Sequence, residues 1–89
     1  MNEIPILLSC YIIEDSSVFV AQCIEKDFCA QGSSRWDAKN GLVAVISAQL
    51  MLDRNHKRWP FETTPEPPKD FLKYFEEKKA WFTEFKVDL

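Results

Sequence analysis

Only two glycines, Gly32 and Gly41, and one histidine, His56, occur in the 89 residues. So few glycines argue against a glycine-rich turn whose amides cradle a phosphate, and neither a G-x-S-x-G elbow nor a Walker lysine is present. A single histidine leaves no second imidazole for a metal centre. Its place beside Lys57 and Arg58 suits a solvated helix end, where the dipole favours a cation. No apolar run approaches the roughly 20 residues needed to span a bilayer. Basic residues are not in excess either. The net charge is −3 and the one basic cluster, His56-Lys57-Arg58, is short, so direct nucleic-acid binding is not expected.

Cysteine is also scarce. Cys10, Cys23 and Cys29 have no C-x-x-C spacing and leave one thiol over in any internal pairing. They stand where small buried hydrophobes belong, and no charged-then-apolar leader precedes them, so a reducing cytoplasm is the expected setting. The acidic pairs Glu14-Asp15, Glu25-Asp27 and Glu76-Glu77 fall in expected turns or on a solvated helix face, where they form no general acid-base pair. No catalytic residue, metal or cofactor is therefore expected.

What the chain does have is apolar character, 46% of its residues, enough for one domain over 1–89 and too little for two. A chain of this size buries only roughly 60–65% of its unfolded surface, so burial against another copy would add to its stability. Residues 4–13 and 17–24 are rich in β-branched and aliphatic residues and predict two strands around a turn at Glu14-Asp15-Ser16-Ser17. Pro5 cannot donate to a ladder and predicts a strand start at or outside a sheet edge. After a turn or bulge at Glu25-Lys26-Asp27, residues 28–31 predict a third strand ending at Gly32. Ser34 is an N-cap candidate with Asp37 reaching back to it, and the spacing of Ala38, Leu42, Val45, Ile46 and Gln49 predicts a helix from Arg35 to about Asp53. Val43, Leu50, Met51 and Leu52 widen its apolar arc, and Gly41, Ala44 and Ala48 allow close approach.

Four of the five prolines lie in an extended crossing over 54–68, where Trp59 and Phe61 are expected to pin the chain to the body. Pro68 suits the first turn of a helix through about Lys79. Alternation from Trp81 predicts a final strand, although Phe71, Phe75, Phe82 and Phe85 would also share one face of a longer helix. The first strand is apolar in both phases and the second nearly so, so the second face of the sheet must be covered by this C-terminal segment or by another copy. The fold class expected is α+β: an antiparallel β-β-β-α body with a C-terminal helix and a final strand.

Phe19-Val20-Ala21, Gln31-Gly32, Ser34 and Asp37-Ala38, in that order over about residues 6–52, resemble the HicB-like antitoxin family. The resemblance implies a degenerate RNase H-like domain without nuclease residues that neutralises a HicA-type RNA-cleaving toxin by direct binding. Glu25-Lys26-Asp27-Phe28 replaces the family's usual Pro-Gly-Cys turn, and the family's DNA-binding extension is absent, as in stand-alone members. The alternative is a self-associating structural or inhibitory protein, one that blocks some host or phage machine. Either way a homo-oligomer and a protein partner are expected, and Trp36, Trp59 and Phe61 are the residues expected to meet that partner. For Trp36, packing on the chain's own tail is the competing expectation.

Overall fold

The structure, a computed structural model, describes residues 5–88. Its elements are β1 (Pro5–Asp15), β2 (Val18–Cys23), β3 (Cys29–Gly32), α1 (Arg35–Asn55), α2 (Lys69–Glu77) and β4 (Trp81–Asp88). The four strands form one antiparallel sheet in the order β3-β2-β1-β4. The class is α+β, as expected.

β1 runs two residues further than its composition suggests. Ser16 and Ser17 both have positive φ, 50° and 73°, and this two-residue turn matches the twist of the flanking strands, so Glu14 and Asp15 stay in the ladder. Ile4, expected to open the strand, lies outside the described residues. Pro5 pairs with Asp88, whereas β2 joins β1 only from Cys10. Pro5 therefore sits where β1 has a neighbour on one side only, a place that tolerates a residue without an amide.

Successive residues of a strand point to opposite faces. Leu8, Cys10 and Ile12 of β1, Ala21 and Cys23 of β2, and Phe85 and Val87 of β4 face α1 and form the core with Ala38, Leu42, Ile46 and Leu50. Leu42 and Ile46 are fully buried, and each contributes about 1.5–3 kcal/mol by leaving water. Ser34 caps α1, its hydroxyl accepting the Asp37 amide at 3.0 Å. The Asp37 carboxylate does not reach back to Ser34; it accepts the Ser33 hydroxyl at 2.6 Å. Gly32 is needed for close approach, since a Cβ there would lie 2.5 Å from the Ala38 nitrogen and 2.7 Å from the Asp37 carbonyl carbon.

α1 continues to Asn55, past the expected Asp53, and His56 is its C-cap. Lys57, with φ 56°, closes it: the Lys57 amide donates to the Arg54 carbonyl at 3.1 Å and the Arg58 amide to the Asp53 carbonyl at 2.8 Å, a Schellman arrangement. The crossing is pinned by Phe61, which is buried and packs edge-on against Phe28 at 5.7 Å. Trp59 does not share that role; at 79% exposure it touches little of the body, because the turn over Pro60–Thr63 directs only Phe61 inward.

The tail belongs to the fold. The expected final strand forms, and the longer helix does not, because Lys79 adopts φ 55° and the Ala80 amide donates back to the Phe75 carbonyl at 3.2 Å. Pro68 is the N-cap of α2, one step before the expected first turn. β4 pairs with β1 along eight residues, so this part of the C-terminal segment widens the sheet instead of covering it. No helix among the described residues is long and apolar enough to cross a membrane.

Candidate functional site

The second face of the sheet carries Leu7, Ser9, Tyr11, Ile13 and Asp15 of β1, with Val20 and Gln22 of β2, Cys29 of β3 and Phe82 of β4 placed beside them by register. α2 stands over this face but packs against β1 alone among the elements. Phe75 is its buried anchor. Tyr11 adds a long hydrogen bond from its hydroxyl to Glu76 Oε1 at 3.4 Å; burial first, and then the Glu76 charge, raise the Tyr11 phenol above its ordinary value.

Because α2 covers β1 and leaves β2 and β3 open, a groove of about 440 Å³ remains between them, lined by Ile13, Val20, Gln22, Phe71, Tyr74 and Phe75 with Asp15 and Cys29 at its margins. Its walls are almost wholly apolar. Phe71 and Tyr74 are about half exposed along it, and Phe82, 58% exposed, lies on the same face of β4 with its ring edge-on to Tyr11 at 6.1 Å. Gln22 is buried in the floor, its amide held by the Cys23 carbonyl at 3.0 Å and by Asp27 Oδ1 at 3.3 Å. A surface of this kind accepts apolar side chains of a partner.

Glu25 and Asp53 are committed to hydrogen bonds that hold the fold. Glu25 accepts the Ser9 amide at 2.9 Å and the Ser9 hydroxyl at 2.5 Å, closing β1 where its ladder to β2 ends. Asp53, only 1% exposed, accepts from Gln49 Nε2 at 3.0 Å, Arg58 Nε at 3.1 Å and the Phe61 amide at 2.8 Å. Burial alone would raise the Asp53 carboxyl, but those three donors outweigh it and hold the carboxyl below its ordinary value. Glu14 and Asp15, adjacent on one strand, point to opposite faces, and Glu76 and Glu77 are exposed on α2. His56 ends α1 in solvent. No group of three or more His, Cys, Asp or Glu side chains among the described residues is placed to hold a metal ion.

Cys10 and Cys23 are buried opposite one another on the α1 face; burial, and then the neighbouring Cys23, push the Cys10 thiol up to about 11. Cys29 departs from the expected pattern. It is exposed on the second face, because β3 is a short edge strand and nothing described lies over it.

The three residues expected to meet a partner are not brought together into one site. Phe61 is in the core and offers almost no surface, Trp59 is exposed on the crossing, and Trp36, 68% exposed, lies at the start of α1 beside the first residues of β4. The groove residues Phe71 and Tyr74 are legible in the sequence only as an amphipathic helix; that α2 stands over β1 alone follows from β4 joining the same sheet. Among known proteins, no family model, no curated protein and no solved structure matches this chain.

Proposed function

We propose that this chain is a non-catalytic protein-binding module of the HicB-like antitoxin kind, with a degenerate RNase H-like body, and that it neutralises a HicA-type RNA-cleaving toxin by direct contact. The observation that carries the reading is the incomplete cover of the second sheet face: α2 shields β1 and leaves an apolar groove flanked by exposed Phe71 and Tyr74. Exposed apolar surface of this extent on a small chain marks an interface more often than a catalytic centre. The order of the motif elements along the chain, from Phe19-Val20-Ala21 through Gln31-Gly32 to the Ser34 cap, supports the family assignment. The cytoplasm is the compartment in which such a partner would be met.

The test is capture from the native cell with mass identification, followed by addition of the pure chain to the captured protein acting on RNA. Cleavage stopping at equimolar chain is the expected result. Nuclease activity that resides in this chain, and is lost on a point substitution within it, would overturn the reading.

Self-association is a second reading, favoured by the outer flank of α1, where Val45, Met51 and Leu52 are exposed beside Ala44 and Ala48. Two copies meeting along that flank would bury it symmetrically. Sedimentation at micromolar concentration is expected to show a homodimer; a monomer for the wild type would remove this second reading.

A further inference from the structure

Arg35 is placed against the electrostatics of its own helix. It is the first residue of α1, at the positive end of the macrodipole, where a cation is disfavoured. Lys39 follows one turn later on the same side, and like charges at that spacing repel. No carboxylate among the described residues forms an ion pair with either of them: the one such pair joins Arg58 to Asp53, and Asp37, the acidic residue of the first turn, is occupied by Ser33. What holds Arg35 is an indole, with the guanidinium carbon 4.4 Å from the centre of the Trp81 ring. That stacking leaves the edge donors of the guanidinium available, and a stacked guanidinium is well suited to a planar carboxylate.

These two cations line a hollow of about 310 Å³ with Trp36, Trp81, Phe82 and Thr83. Trp36 is 68% and Trp81 44% exposed. The hollow opens on the free edge of β4, which has a neighbour only in β1. Exposed tryptophan beside arginine is the composition of an interface hot spot, and it occurs here on a chain whose net charge is −3.

From this juxtaposition we infer that the hollow between the start of α1 and the start of β4 binds an acidic peptide segment of a protein partner, one carboxylate pairing with Arg35 and Lys39 while a neighbouring apolar side chain packs between Trp36 and Trp81. Two cations match one or two carboxylates. They do not form the extended basic track that follows a nucleic-acid backbone. The hollow lies on the α1 side of the sheet, and its occupation does not depend on the groove under α2.

The probe is a fluorescein-labelled peptide of alternating glutamate and phenylalanine, followed by anisotropy on the full chain, with the glutamine-for-glutamate peptide and a labelled oligouridine as controls. The glutamate peptide is expected to bind at low salt and to weaken as salt rises, and the glutamine peptide to bind about tenfold less tightly or worse. Arg35→Gln, an exposed substitution that leaves the melting curve in place, is expected to weaken the glutamate peptide by about tenfold, with Lys39→Gln acting in the same direction. The groove variant Phe71→Ser is expected to leave this affinity unchanged, which separates the result from the proposed function. Failure of the glutamate peptide to bind, equal binding of the glutamine peptide, indifference to Arg35→Gln in a folded protein, or tighter binding of oligouridine would each overturn the inference.

Discussion

Asp53 concentrates the residue-scale logic of the molecule. A carboxylate is tolerated at 1% exposure because three donors from α1 and the crossing converge on it, and one of them is the amide of Phe61, a residue whose φ of 62° is unusual for a bulky side chain. Since the folded carboxyl titrates below its ordinary value of 3.8, the stability it lends is fully present above that pH and is lost as pH falls through the lower folded value. Urea midpoints measured at about pH 6 and about pH 3 are therefore expected to fall for the wild type, and to fall less for Asp53→Asn, which also starts from a lower midpoint because it weakens the clasp. An equal acid-induced drop in both proteins would show that Asp53 is not the group responsible. The cysteines give a second residue-scale expectation: an alkylating reagent should label Cys29 in the folded protein and reach Cys10 and Cys23 only on unfolding, as counted by mass. Rapid triple labelling under native conditions would contradict the buried placement of the β1-β2 pair.

At the scale of elements, the parts that local chemistry determines were legible in the sequence. Ser34 before an apolar periodic run marks the start of α1, and the change from helical to alternating period after Lys79 marks β4. What lay beyond local pattern was decided by tertiary contact. Glu14 and Asp15 look like turn residues but remain in β1, because the serine pair after them turns the chain alone; Trp59 and Phe61 look equivalent, but only Phe61 has an amide within reach of Asp53. The groove depends on where β4 docks, and no local signal carries that. Two substitutions test the junctions. Gly32→Ala would drive a Cβ into the backbone at Asp37 and Ala38, and a loss of about 1–3 kcal/mol in chemical denaturation is expected for such overpacking. Lys57→Gly relieves a side chain of the left-handed conformation that ends α1 and is expected to stabilise by up to about 1 kcal/mol. A neutral Gly32→Ala would show that the strand-to-helix junction yields more readily than its contacts indicate.

At the scale of the whole molecule, the C-terminal segment completes one face and leaves the other unfinished. β4 sends Phe85 and Val87 into the core and pairs along the length of β1, so a fragment ending at Pro68 is expected to aggregate or to melt without cooperativity; a monodisperse, cooperatively melting fragment would make the tail an appendage. α2, by contrast, is anchored chiefly by Phe75 and leaves the groove open. The central claim is that this opening is the binding face. Its most direct measurement is co-purification from the native cell of the wild type and of a folded Phe71→Ser/Tyr74→Ser variant, each quantified against the chain itself. The account predicts a stoichiometric RNA-cleaving partner with the wild type and its loss with the variant, at an unchanged melting temperature. Retention of the same partner at the same stoichiometry by the folded variant would contradict it.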